Sequence, residues 1–185
     1  FPAEHDITAA MTSCDRPIIV GVNGVAATGG FELALMGDIL LASQEGRFAD
    51  THCRVGLAPG WGLSQKLARI IGPSRAREAH FTANFISAQQ AADWGVVRRV
   101  VASEKSVDEG RKVAADIDSR VQVTVRLYKQ IVIDGLQTDL SAGLFKDRHV
   151  LLQVNARLPG VATATNPHYI PTRDKTTNTR SRRDL

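Results

Sequence analysis

The sequence predicts an α/β domain with parallel strand pairing, and three observations carry that expectation. A β-branched run follows a proline at "RPIIVGV" (16–22), and a second apolar run, "DILLAS", occupies 38–43. Between them lie a glycine-punctuated turn (Gly21, Gly24, Gly29, Gly30) and a short helical pattern from Phe31 to Met36. A strand–turn–helix–strand rhythm of this kind favours parallel strands joined by crossovers. With 185 residues, the chain is long enough for one domain with a substantial core.

The elements follow in order. "RPIIVGV" reads as a buried strand, "DILLAS" as a second, and "GRFAD" (46–50) as a short third. "GLAPGWG" (56–62) is a glycine-proline loop feeding an amphipathic helix with Leu63, Leu67, Ile70 and Ile71 on its apolar face, stopped by Gly72. Pro73 suits the first turn of the next helix, which runs through His80. "SAQQAADWG" (87–95) opens on Ser87 with Gln90 three residues on, a capping box, and closes on Gly95. "VVRRVV" (96–101) is another strand, and Ser103–Ser119 is charged and helical. In Val121–Asp134, alternating valines argue for a strand while Leu127, Gln130, Ile131 and Asp134 argue for a helix. Ser141–Gln153 is helical again. From Asn155 the composition turns to Thr, Asn, Pro and Arg, which predicts a disordered tail over 155–185. The domain boundaries are therefore 1–102 for the α/β core, 103–154 for a helical region and 155–185 for the tail.

Composition excludes several classes. No run of 18 apolar residues predicts a membrane span, and "FPAEHDITAA" lacks the regions of a signal peptide. The absent initiator Met points to a fragment. Two cysteines, Cys14 and Cys53, make no disulfide framework, and five scattered histidines make no metal-ligand pattern, so no metal site is expected. Removing the tail's six basic and two acidic residues from totals of 23 and 19 leaves 17 of each, so the body is neutral. The tail's Arg180, Arg182 and Arg183 lack interleaved aromatics, which favours a solvated segment over a nucleic-acid contact. Both phosphate-loop templates fail around Gly24 and Gly29–Gly30, despite an acid at Asp50.

Gly29 and Gly30 precede "FELALM" and place Glu32 in the first turn of the following helix. Glycines allow close backbone approach, and the first amides of a helix lack carbonyl partners, so they can hold a developing oxyanion. A carboxylate beside such donors suits proton transfer alpha to a carbonyl. Acids are also common in first turns for purely electrostatic reasons, and spacing does not separate the two accounts.

"RPIIVGVNGVAATGGFELALMGDILLAS", then "RFADTHCRVGLAPGWGLSQKLARIIG" and "FISAQQAADWGVVRRVV", resemble in order the enoyl-CoA hydratase/isomerase (crotonase) family, from about Asp15 to Gln153. "DTH…PGWGLSQKL" is most similar to a subgroup that includes plant peroxisomal enoyl-CoA hydratases. The resemblance implies a crotonase-like ββα superhelix, truncated at its N-terminus, with a C-terminal helical region. It also implies hydration of 2-trans-enoyl-CoA in fatty-acid β-oxidation through an enolate. Gly29 falls on an oxyanion-hole donor and Glu32 on the first catalytic glutamate. Gly60 falls on a donor near the catalytic water, Trp61 on the acyl pocket, and Ala26 and Gly30 on the substrate-binding segment. No cofactor is implied beyond the coenzyme A of the substrate. Homotrimers or hexamers are the implied assembly, with no nucleic-acid or membrane partner. A peroxisomal or cytoplasmic site is implied, although Arg183-Asp184-Leu185 is not a peroxisomal address of the Ser-Lys-Leu type.

Two departures matter. Where the family carries its second glutamate this chain has His52. Glu32 and His52 can form an acid–base pair, since imidazole titrates near neutrality. Alternatively, Glu32 acts alone, which suits double-bond isomerisation, or His52 is merely packed or solvent-facing. Asp50, on the same strand face, is placed to orient it. Secondly, only fifteen residues precede Arg16, where the family has a segment supplying the other oxyanion amide. Losing one such donor costs on the order of 10²–10³ in rate, so the chain alone is expected to bind acyl-CoA poorly and to turn over weakly or not at all, or to serve as an assembly partner.

Overall fold

The computed structural model describes residues 6–157, with side chains through 150. They form two compact units that divide between Gln130 and Ile131.

The first unit carries two three-stranded sheets, and the first four strands alternate between them. Strand β1 (Ile19–Val22) lies in the first sheet, β2 (Val25–Ala27) in the second, and helix α2 (Gly29–Ala34) follows. The chain then repeats the circuit with β3 (Ile39–Ser43), β4 (Arg47–Ala49) and α3 (His52–Val55). A third passage adds β5 (Ile86–Ser87), α6 (Ala88–Asp93) and β6 (Arg99–Val101). The first sheet runs β1-β3-β6, parallel throughout, with Ile19 opposite Ile39 and Leu41 opposite Arg99. In the second, β2 and β4 are parallel, with Ala27 opposite Ala49, and β5 joins β4 antiparallel. Strand, corner, strand, helix: the repeating ββα unit is the superhelix that the sequence implied.

Local chemistry explains most elements. In β3, Leu40, Leu41, Ala42 and Ser43 are all buried, as a strand flanked on both edges in a parallel sheet requires. β1 is less buried than its β-branched run predicted, because it stands at the edge of its sheet. Phe31 of α2 and Phe48 of β4 are both fully buried, with ring centroids 5.2 Å apart at a tilt, so helix and second sheet share one core. Helix α4 (Leu63–Ile71) buries Leu63, Leu67 and Ile71. Ile70, expected on that face, lies about 60° from its centre by helical geometry and is exposed. Gly72, at φ 84°, turns the chain into α5 (Pro73–Thr82), which has Pro73 in its first turn. The Ser87 hydroxyl accepts the Gln90 amide at 3.1 Å, and Gly95 at φ 82° ends the turn after α6.

A short helix α1 (Ile7–Ser13), unforeseen from the sequence, is capped by Asp6, whose Oδ1 accepts the amides of Thr8 and Ala9. A 3₁₀ turn at Ser103–Lys105 leads into α7 (Ser106–Asp118). The ambiguous stretch is helical, as α8 (Gln122–Gly135). It is tied to the first unit's start: Arg126 pairs with Asp15, and Lys129 with Asp38 and the Arg16 carbonyl. The second unit contains the end of α8 and α9 (Leu140–Arg157), which opens on Asp139 accepting the Ala142 amide at 3.0 Å. Residues 155–157 are thus helical, where the sequence predicted the start of a disordered tail, and the remainder of that tail lies outside the described residues. No helix among the described residues is long and apolar enough to cross a membrane.

Candidate active site

Strands β2 and β4 run parallel and end together, so the turns leaving them lie side by side. Those turns deliver Gly29 and His52. Ligand sites in parallel sheets gather at such carboxyl ends. The turn after β2 is strained: Thr28 adopts φ 53°, ψ −115°, a conformation β-branched residues avoid, at a cost of about 1–3 kcal/mol. It is held by its amide on the Ala49 carbonyl (3.0 Å) and by a hydroxyl contact with Thr51 at 2.6 Å. The result is that α2 starts immediately, with the Gly29 and Gly30 amides bonded to no acceptor among the described residues.

One turn on, Glu32 is buried at 3% exposure. Its Oε1 accepts the backbone amides of Trp61 (2.8 Å) and Leu63 (3.2 Å), both from the turn that enters α4. The "PGWG" loop therefore serves as a clamp for this carboxylate. Oε2 stands 3.8 Å from Nε2 of His52, itself only 6% exposed. A Cβ at Gly29 would lie 3.2 Å from the Trp61 ring, so the glycine amide and the indole are near neighbours.

His52 is fixed from behind. Asp50 Oδ1 meets its Nδ1 at 2.6 Å and accepts its backbone amide at 3.1 Å. Asp50 is not on the strand face as expected, because β4 ends at Ala49 and Asp50 lies in the turn beyond it. It orients the imidazole nonetheless. Oδ2 of Asp50 meets Nδ1 of His80, on α5, at 2.6 Å. Burial alone would raise the Asp50 carboxyl, but the His52 amide and the two imidazoles together hold it below the ordinary carboxylate value. Lys66, on α4, is also near: burial lowers its ammonium, while the Glu32 charge opposes the shift.

Glu32, His52, Gly29 and Trp61 therefore converge. Gly60 is exposed beside Trp61, with open space around its α-carbon. Ala26 and Gly30 instead line a cleft of about 350 Å³ with Gly24, Val25 and Leu33, which Glu32 and His52 do not line. The acidic and imidazole groups make no metal-binding group among the described residues. His80 was missed by sequence reasoning. Its one available signal was helical spacing, four residues from the buried Ala76 on the same face.

A ββα superhelix with a buried carboxylate–imidazole cluster at its strand ends defines an α/β protein with an acid–base site. The chain belongs to the enoyl-CoA hydratase/isomerase family, whose model matches residues 3–158. It is 43% identical over 141 residues to a probable peroxisomal enoyl-CoA hydratase 1 of Arabidopsis thaliana, covering 76% of this chain and 53% of that one. It is 37% identical to a crotonyl-CoA hydratase of Syntrophomonas wolfei, covering 70% and 50%. Among solved structures, enoyl-CoA hydratase subunit I of Geobacillus kaustophilus matches with a TM-score of 0.78 at 33% identity, covering 80% of this chain and 58% of that one. The chain spans about half the length of these curated relatives.

Proposed function

We propose that the protein is an enoyl-CoA hydratase, adding water across the double bond of a 2-trans-enoyl-CoA in fatty-acid β-oxidation. The observation that carries this reading is the buried Glu32–His52 pair, 3.8 Å apart. That gap is too long for a direct hydrogen bond, but a water about 2.8 Å from each group can bridge it. Two amides on Oε1 stabilise the Glu32 carboxylate and leave Oε2 to act as base. Asp50 stabilises the His52 imidazolium through Nδ1–H, which leaves Nε2–H as the acid.

Water loses a proton to Glu32 as its oxygen bonds to C3. The electrons of the double bond move onto the thioester oxygen, where the Gly29 amide donates to the enolate. His52 delivers its Nε2 proton to C2, and the proton on Glu32 then returns to His52. Coenzyme A enters only as part of the substrate. The S. wolfei relative's name and the family support an acyl-CoA thioester as substrate class. A peroxisomal setting is supported by the name of the Arabidopsis relative.

Glu32→Gln keeps the shape and removes the base. Its kcat on crotonyl-CoA should fall by on the order of 10²–10⁴, and undiminished turnover ends the reading. The Asp50 support of His52 favours the pair over Glu32 acting alone. His52→Ala should accordingly abolish hydration; an unchanged hydratase rate leaves His52 a packing residue, and a switch to isomerase activity assigns Glu32 the proton transfer by itself.

A further inference from the structure

Asp50 is a carboxylate shared between two imidazoles. One oxygen serves His52, through both ring and backbone, and the other serves Nδ1 of His80 at 2.6 Å. An ionised carboxylate only accepts, so each Nδ1 must carry hydrogen, and Nε2 is the atom that gains or loses a proton in either ring. For His52 that nitrogen is the one facing Glu32. For His80 it is buried and has no hydrogen-bond partner among the described residues.

We propose that His80 is a positioning residue for the Glu32–His52 pair, pinning the second oxygen of Asp50 so that the first holds His52 with Nε2 toward Glu32. The inference rests on the catalytic reading above, since it is that pair which is positioned. Two features support it. Asp50 is 3% exposed, so water is a poor substitute for a lost donor on Oδ2. The bond is also short and charge-assisted, the kind that sets orientation most firmly. A carboxylate held on one oxygen alone can rotate about Cβ–Cγ, and the imidazole hydrogen-bonded to it would follow. His80 approaches from α5, a separate element, so it locks the Asp50 plane against a rigid part of the fold rather than against its own turn. A ring that leaves one buried nitrogen unpartnered is a costly way merely to fill space.

The test compares two variants. In His80→Asn, the side-chain Nδ2 occupies nearly the position of imidazole Nδ1 and still donates to Asp50; in His80→Leu no donor remains. Nitrogen-15 imidazole spectra taken at a pH high enough to remove the Nε2 proton should show neutral His52 as the Nδ1–H form in wild type and His80→Asn, and a mixture of tautomers in His80→Leu. With crotonyl-CoA, His80→Leu should lose about 10–100-fold in kcat at nearly constant KM, while His80→Asn stays close to wild type. A His80→Leu protein with unchanged His52 tautomer, or with unchanged kcat, overturns the proposal, as does His80→Asn falling as far as His80→Leu. Failure of the hydratase reading is separable: undiminished turnover by Glu32→Gln would defeat that reading, while the spectra would still decide whether His80 orients His52.

Discussion

Gly29 is confined to glycine by a neighbour. A methyl group there would sit 3.2 Å from Cζ3 of Trp61, so the indole must yield by a few tenths of an ångström. Because the Trp61 amide clamps Glu32, the disturbance reaches the carboxylate. Gly29→Ala should therefore lower thermal stability by an overpacking cost of about 1–3 kcal/mol and lower kcat with it; an unshifted melting midpoint and wild-type kcat would show the ring free to move. Asp50 supports a pH prediction. Its folded-state pKa lies below the unfolded value, so the stability it confers is complete above about pH 4 and is lost as pH falls through the folded value. Asp50→Asn should thus be less stable than wild type at neutrality, with the difference narrowing on acidification below about pH 4; a difference that widens there contradicts the assignment. Asn also faces two Nδ1 atoms with only one acceptor, so one imidazole must flip its tautomer. Glu32 was legible beside the glycine pair at its helix start, and His52, with Asp50 two residues before it, through the family resemblance. His80 was not, since packing alone brings it to Asp50 from thirty residues away.

At the scale of elements, legibility followed the range of the forces involved. Helices α5 and α6 are written in their own ends: Pro73 in a first turn, Ser87 and Gly95 flanking a third-passage helix. Ser87→Ala should cost about 1 kcal/mol, the usual value of an N-cap, read by denaturant unfolding. A loss near zero would mean that tertiary packing alone sets the start of α6. β2 and β5, of three and two residues, escaped the sequence reading because they are strands only by virtue of β4 between them. β2 lies in what read as a glycine loop, yet its register with β4 is what brings Thr28 beside Thr51 and so places Gly29 near His52. α8 shows the opposite case, a valine-rich stretch that is helical and whose ion pairs to Asp15 and Asp38 no local pattern displays.

For the whole molecule, the second unit carries several large apolar side chains in solvent. Leu136, Leu140, Leu144 and Phe145 are between 58% and 78% exposed. Each such side chain gains about 1.5–3 kcal/mol when fully buried, and apolar surface that is contiguous marks an association face. The basic tail offers no comparable driving force, since its excess charge repels a second copy. Self-association through α9 would cover this surface. The double variant Leu144→Asp/Phe145→Asp places charges on the face without touching Glu32, His52 or Asp50. Sedimentation velocity should then show wild type as a trimer or hexamer and the variant as a monomer. An unchanged sedimentation coefficient would remove α9 from the interface. Should the variant dissociate yet keep the wild-type His52 tautomer, the acid–base cluster is a property of the single chain, as its hydrogen bonds within residues 32–80 require.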